Sequence, residues 1–92
     1  MGKELSFITV IGLDKKGFVA KISQLLYRHN VNIEDIAQKI MEKLFVMTML
    51  IDVANMKVPM DRLRAGLEKI GKELNLKVQI QHENVFKMMH RV

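Results

Sequence analysis

Cysteine is absent from the 92 residues, which removes disulfides, thiolate metal sites and thiol catalysis together. No apolar run approaches the ~20 residues that span a bilayer, and the opening residues carry no signal peptide pattern. A soluble, cytoplasmic protein is the expectation. There is no nucleophile elbow, no Walker A pattern and no dinucleotide fingerprint, because the only candidate loop holds one glycine where such loops need several. His29, His82 and His90 fall at an expected helix end, a strand end and the tail. His82 and His90 have methionines nearby but no third clustered ligand, so no metal site is read here. Glu34 and Asp35 are adjacent carboxylates, which on a strand point to opposite faces. The expectation is a protein that is not an enzyme and has no cofactor.

What is present is a core. Nearly half of the residues are hydrophobic, 49%, and the length suits one domain over 1–92. The organising stretch runs from Leu5 to Tyr27. Leu5, Phe7, Ile8, Val10 and Ile11 form a run rich in β-branched and aromatic residues that stops at Gly12. Phe18, Val19, Ile22, Leu25 and Leu26 then mark one face of a helix. Between them, Leu13-Asp14-Lys15-Lys16-Gly17 delivers unpaired N–H groups at a helix start, where the macrodipole adds partial positive charge. That place favours an anion or a carboxylate. A structural role stands beside it: Asp14 caps the helix, worth about 1 kcal/mol, and Gly17 lets helix and strand pack closely.

The rest follows in alternation. Arg28-His29-Asn30 reads as a helix stop, with Asn30 left-handed. Ile33, Ile36, Ile40 and Leu44 have helical spacing, yet Ile36, Gln38 and Ile40 alternate. A strand from Ile33 to Met41, irregular near Glu34-Asp35, fits best, because a tight turn at Glu42-Lys43 leads into the apolar run from Leu44 to Val53, the pattern of a central strand covered on both faces. Pro59 opens a second helix, where its missing N–H costs nothing. Met60, Leu63, Leu67, Ile70 and Leu74 form its buried stripe, and Gly66 and Gly71 permit close packing against a sheet. Asn75 ends it, and Leu76, Val78 and Ile80 alternate with polar residues in an edge strand. The tail, residues 83–92, reads as a short amphipathic helix on the sheet or on a neighbouring subunit.

The order βαββαβ predicts an α+β, ferredoxin-like sandwich: a four-stranded antiparallel sheet with two helices on one face. Its other face is left bare. Phe7, Ile11, Phe45, Met47, Met49 and Ile51 include more than one layer can hide, so a homodimer or higher homo-oligomer is expected.

The net charge is +5, but the basic residues are scattered beside acidic neighbours rather than massed for phosphate. RNA-recognition modules share this topology and stack bases on central-strand aromatics. Only Phe7 and Phe45 are candidates here, and Lys43-Leu44-Phe45-Val46 lacks the glycine-aromatic pattern. Nucleic acid is the weaker reading. The opening Met1-Gly2-Lys3-Glu4-Leu5-Ser6 matches an N-myristoylation pattern, but Leu5 and Ser6 already belong to the first strand, so it reads as chance.

Three segments carry a resemblance: Thr9 to Ala20 (TVIGLDKKGFVA), Val31 to Gln38 (VNIEDIAQ) and Leu76 to Ile80 (LKVQI). In this order and spacing the chain resembles ACT domains, small βαββαβ modules that bind amino acids and regulate metabolic enzymes, and in particular the uncharacterised stand-alone ACT proteins of prokaryotes. The resemblance implies a ligand-binding site of Asp14, Gly17 and Phe18 in the loop, with Asn32 and Ile33 opposite, near a subunit interface. It implies Asp14 on an α-amino group and the Gly17 and Phe18 amides on a carboxylate. The ligand would be an amino acid or a similar carboxylate, and the partner a regulated enzyme. Many ACT loops read Asp-Arg-Pro-Gly; Lys15-Lys16 here removes the proline's rigidity and favours a more anionic ligand. A protein-interaction module that regulates by contact, with no ligand, is the alternative.

Overall fold

The computed structural model describes residues 2–13 and 17–83. Asp14, Lys15, Lys16 and the tail after Glu83 lie outside them, as do the roles expected of them.

Strand β1 (Leu5–Gly12), helix α1 (Phe18–Arg28), strands β2 (Asn32–Met41) and β3 (Leu44–Asp52), helix α2 (Met60–Leu74) and strand β4 (Lys77–His82) follow in βαββαβ order. The sheet order is β2-β3-β1-β4, and all three pairings are antiparallel. The two most apolar strands therefore take the two central places, and the strands with polar faces become edges. Among the described residues, no helix is long and apolar enough to cross a membrane.

Burial alternates strictly along the central pair. Ile8 and Val10 of β1 join Phe45, Met47, Met49 and Ile51 of β3 against Phe18, Ile22 and Leu26 of α1 and Leu63 and Leu67 of α2. All four of the named β3 residues thus lie under the helices, and none spills onto the second face. That face instead carries Phe7, Ile11, Val46 and Leu50, paired as Phe7↔Leu50 and Ile11↔Val46. The helices cover β3 on one face, not on both, and Val46 and Leu50 stay half-buried. The core holds one misfit: Ser6 is fully buried and its Oγ has no hydrogen-bond partner.

Both helices stop by the same device. Asn30 and Asn75 take φ of 60° and 56°, the left-handed conformation that asparagine tolerates. The next N–H then reaches back five residues, from Val31 to the Leu26 carbonyl at 2.9 Å and from Leu76 to the Gly71 carbonyl at 2.7 Å. Each stop satisfies carbonyls that the helix end would strand and aims the chain into the next strand. Pro59 is the N-cap of α2, just outside the first turn, with extended backbone; its carbonyl accepts the Arg62 N–H at 3.0 Å.

Strand β2 contains the expected irregularity, a register shift between Ile33 and Asp35. The bulge explains the helix-like spacing. Ile33 pairs with Ile51 and Ile36 with Met49, so both face the helices although they are three residues apart. Met41↔Leu44 closes the hairpin over Glu42-Lys43.

The two α2 glycines serve different neighbours. A Cβ at Gly66 would meet the Leu25 side chain of α1 at 3.0 Å, so this glycine seats helix on helix rather than helix on sheet. At Gly71 a Cβ would stand 2.8 Å from the Leu76 carbonyl oxygen, and a backbone atom cannot swing aside. Gly71→Ala is therefore expected to destabilise: overpacking of about 1–3 kcal/mol outweighs a helix-propensity gain of about 1 kcal/mol. The check is a lower urea midpoint with an unchanged m-value.

Candidate functional site

Among the described residues, the start of α1 is built on backbone rather than side chains. Its N-cap is Gly17, three residues beyond Asp14, with φ of 77° and no side-chain cap hydrogen bond. Glycine holds that left-handed conformation without strain, and a Cβ added there would meet nothing within 4 Å. The demand for glycine is conformational, not steric. The first turn contains no acidic side chain, so no carboxylate within it competes for its N–H groups, which have no intrahelical acceptors. Phe18 is fully buried, its ring 4.9 Å from that of Phe45. Of the two site residues described here, Gly17 and Phe18, only main-chain groups are available to a ligand.

This end of the sheet is also ringed by exposed apolar side chains. Leu13 is 73% exposed, Ile40 63% and Met41 51%, with Leu44 and Ile11 beside them. The register Ile11↔Val46, Gly12↔Phe45, Ile40↔Phe45 and Met41↔Leu44 sets them together around Gly12.

Asn32 and Ile33 lie at the other end. Asn32 pairs with Asp52, which pairs in turn with Leu5 at the far end of β1. Ile33 is half-buried and packs on the core; Asn32 is exposed, and its Nδ2 donates to the Glu34 carboxylate, which also receives the Lys3 amine. All 11 residues of α1 separate Gly17 from Asn32, roughly 16 Å at 1.5 Å per residue. One chain therefore brings Gly17 and Phe18 together, and Asn32 and Ile33 together, but not the two pairs.

Asn30, read from the sequence only as a helix stop, gathers beside Asn32 with Asp52 and Asn55 from the chain leaving β3, two residues for which sequence patterns gave no signal. Asp52 Oδ1 accepts the N–H groups of Glu4 and Ala54, each at 3.0 Å. The Ala54 and Glu4 amides hold its carboxyl below the usual carboxylate range. Hydrogen bonds from Lys3 and then Asn32 lower that of Glu34 in the same way. Across the molecule, Lys21 and Glu73 tie α1 to α2 at 3.0 Å; the pair is half-exposed, so solvent screens it. No group of three or more histidine or acidic side chains among the described residues could hold a metal.

The base-stacking alternative loses its platform. Phe45 is buried under the helices, while Phe7 projects from the opposite face of the sheet, so the two rings share no surface on which a base could lie.

The ACT domain family model matches residues 4–81. A UPF0237 protein of Methanocaldococcus jannaschii is 51% identical over 85 residues, 92% of this chain and 94% of that one. The solved structure of an ACT domain protein from Streptococcus pneumoniae aligns with a TM-score of 0.78 at 32% identity, covering 94% of this chain and 97% of its own. A formyltetrahydrofolate deformylase from Pseudomonas syringae pv. tomato shares the fold, with a TM-score of 0.77 at 23% identity over 89% of this chain and 28% of that one.

Two outcomes follow from the geometry. Gly17→Ala places a side chain at positive φ and is expected to lower stability by about 1 kcal/mol, read from the denaturation midpoint. The carboxyls of Asp52 and Glu34 are depressed on folding, so their contribution is complete above the unfolded values near 4 and is lost as pH falls through the lower folded values. Denaturation followed downward from pH 5 should show stability falling below about pH 4, with a shallower fall in Asp52→Asn.

Proposed function

The chain belongs to the ACT domain family, and on that premise we propose that it is an oligomeric regulatory domain that binds an amino acid or a similar carboxylate. The ligand lies between the Gly17 and Phe18 amides of one copy and Asn32 and Ile33 of another, and its binding controls an enzyme by contact. The domain itself performs no catalysis.

The observation that carries this reading is the separation of the two half-sites along α1. A free amino acid is far shorter than that helix, so no single copy can hold it at both places. Two copies set with their strands antiparallel to each other bring the loop end of one to the Asn32 end of the other. The exposed ring of Ile11, Leu13, Ile40, Met41 and Leu44 supports a contact with another protein at the loop end, because apolar surface gathered at one end of a small domain marks such a contact.

Magnitudes require the second copy as well. A helix start favours an anion by about 0.3–2 kcal/mol, whereas millimolar binding needs about 4 kcal/mol. The partner supplies the difference through packing and exclusion of water. Asp14 remains in this reading as the residue on the ligand's amino group, and Lys15 and Lys16 add attraction for a carboxylate.

The test is sedimentation combined with thermal-shift screening. The expected result is an oligomer at micromolar concentration whose melting temperature rises with at least one amino acid. A strict monomer, or an oligomer indifferent to every amino acid at millimolar concentration, contradicts the proposal; co-purification of a stoichiometric protein partner in that case favours a ligand-free interaction module.

A further inference from the structure

Helices α1 and α2 cover one face of the sheet. On the other face the β1–β3 register sets the pairs Phe7↔Leu50, Thr9↔Thr48 and Ile11↔Val46 in succession along the two central strands. Asp35 and Gln81 flank the first pair, and Lys39 and Lys77 flank the last, so a strip that is apolar at both ends runs between polar margins. Beside Phe7 and Leu50 lies a hollow of about 140 Å³, lined by these two with Asp35, Ala37 and Thr48. That is well below the roughly 300 Å³ at which small-molecule pockets begin, a size for one side chain rather than for a ligand.

The chain leaves the sheet beside this hollow. His82, the last residue of β4, pairs with Ser6, one step from Phe7, and Glu83 is already helical. The helix-covered face has no room for another element, since Ile8, Val10, Leu63 and Leu67 are at most 1% exposed there. A helix that continues from Glu83 therefore has only the open face to bury against.

The sequence that follows suits that face. At about 100° per residue, Val85, Phe86, Met88, Met89 and Val92 fall within one arc of about 160°, and Asn84, Lys87, His90 and Arg91 fill the remainder. A helix over residues 83–92 is about 15 Å long at 1.5 Å per residue, and the strip from Phe7 to Ile11 is about 13 Å long at 3.3 Å per residue. The apolar arc thus matches the strip in length.

We propose that residues 84–92 close the open face of their own chain's sheet, as a helix laid along β1 and β3 with Phe86 in the hollow beside Phe7 and Leu50 and Val92 towards Ile11 and Val46. The attachment at His82 favours this occupant over a second copy, because a tethered segment loses far less translational and rotational freedom on docking than a separate molecule does. The two-copy ligand reading does not depend on this. A second copy then meets the domain at the sheet edges or at the loop end, where Leu13, Ile40 and Met41 stay exposed.

The experiment is nuclear Overhauser spectroscopy on the full chain, with a second sample that mixes isotope-labelled and unlabelled copies so that contacts between chains are read separately. Contacts from the Phe86 ring and the Met89 methyl group to Phe7, Leu50 and Thr48 are expected within one chain and not between chains. In urea denaturation, Phe86→Ala should lower the folding equilibrium constant about tenfold or more, as loss of a packed aromatic side chain does. Lys87→Ala, on the polar side of the same helix, should change it by less than about threefold, as surface substitutions do. Contacts found only between chains would give the face to a second copy's tail. An absence of contacts, or a Phe86→Ala chain as stable as wild type, would leave the face open, and each of these results overturns the proposal.

Discussion

The hydrogen-bonded ladder between β1 and β3 runs without a break from Leu5↔Asp52 to Gly12↔Phe45. Seven residue steps at about 3.3 Å make it roughly 23 Å long. Helix α1 returns over the same sheet, so the backbone that leaves β1 at Gly12 and the backbone that enters β2 at Asn32 are held at opposite ends. Backbone pairing on both sides of each central strand fixes that distance, and no side-chain rearrangement shortens it. The N–H groups at the start of α1 and the amide and carboxylate side chains around Asn32 consequently stand at opposite ends of the domain.

Much of this was legible because local chemistry repeats. Asn30 and Asn75 announce left-handed helix stops, each followed by an apolar residue whose N–H closes the turn, and both stops are built that way. The conflict of periodicities between Ile33 and Ile40 located the bulge at Glu34: an extra residue keeps Ile33 and Ile36 on one face at a spacing that a regular strand forbids. The faces of β1 and β3 were harder to read. Their apolar runs contain no polar alternation, so only pairing with β2 and β4 and the position of the helices decide which residues are covered. Gly66 was misread for a similar reason, since a glycine signals close approach without naming what approaches.

The site was less legible than the fold. The Gly17 and Asn32 groups could be picked out as segments, but their separation depends on α1 acting as a rigid spacer. Asp52 and Asn55 carry no local pattern. They reach Asn32 through the β2–β3 register, which places residue 52 opposite residue 32, and a one-residue slip in that pairing would turn Asp52 to the other face. The forces involved are individually small, a helix-end field of about 0.3–2 kcal/mol and a half-exposed carboxylate, which is why the proposed function calls on a second copy to shut out water.

The claim that one ligand bridges two copies is tested most directly by mixing two defective chains. Gly17→Val cannot hold the positive φ at the start of α1, and Asn32→Ala removes the opposite wall. Each alone should bind no amino acid. After co-refolding in equal amounts, mixed dimers contain one intact site, so random pairing should restore binding at about a quarter of the wild-type capacity, given a symmetric dimer. Binding by either variant alone, or no recovery in the mixture, would contradict the account.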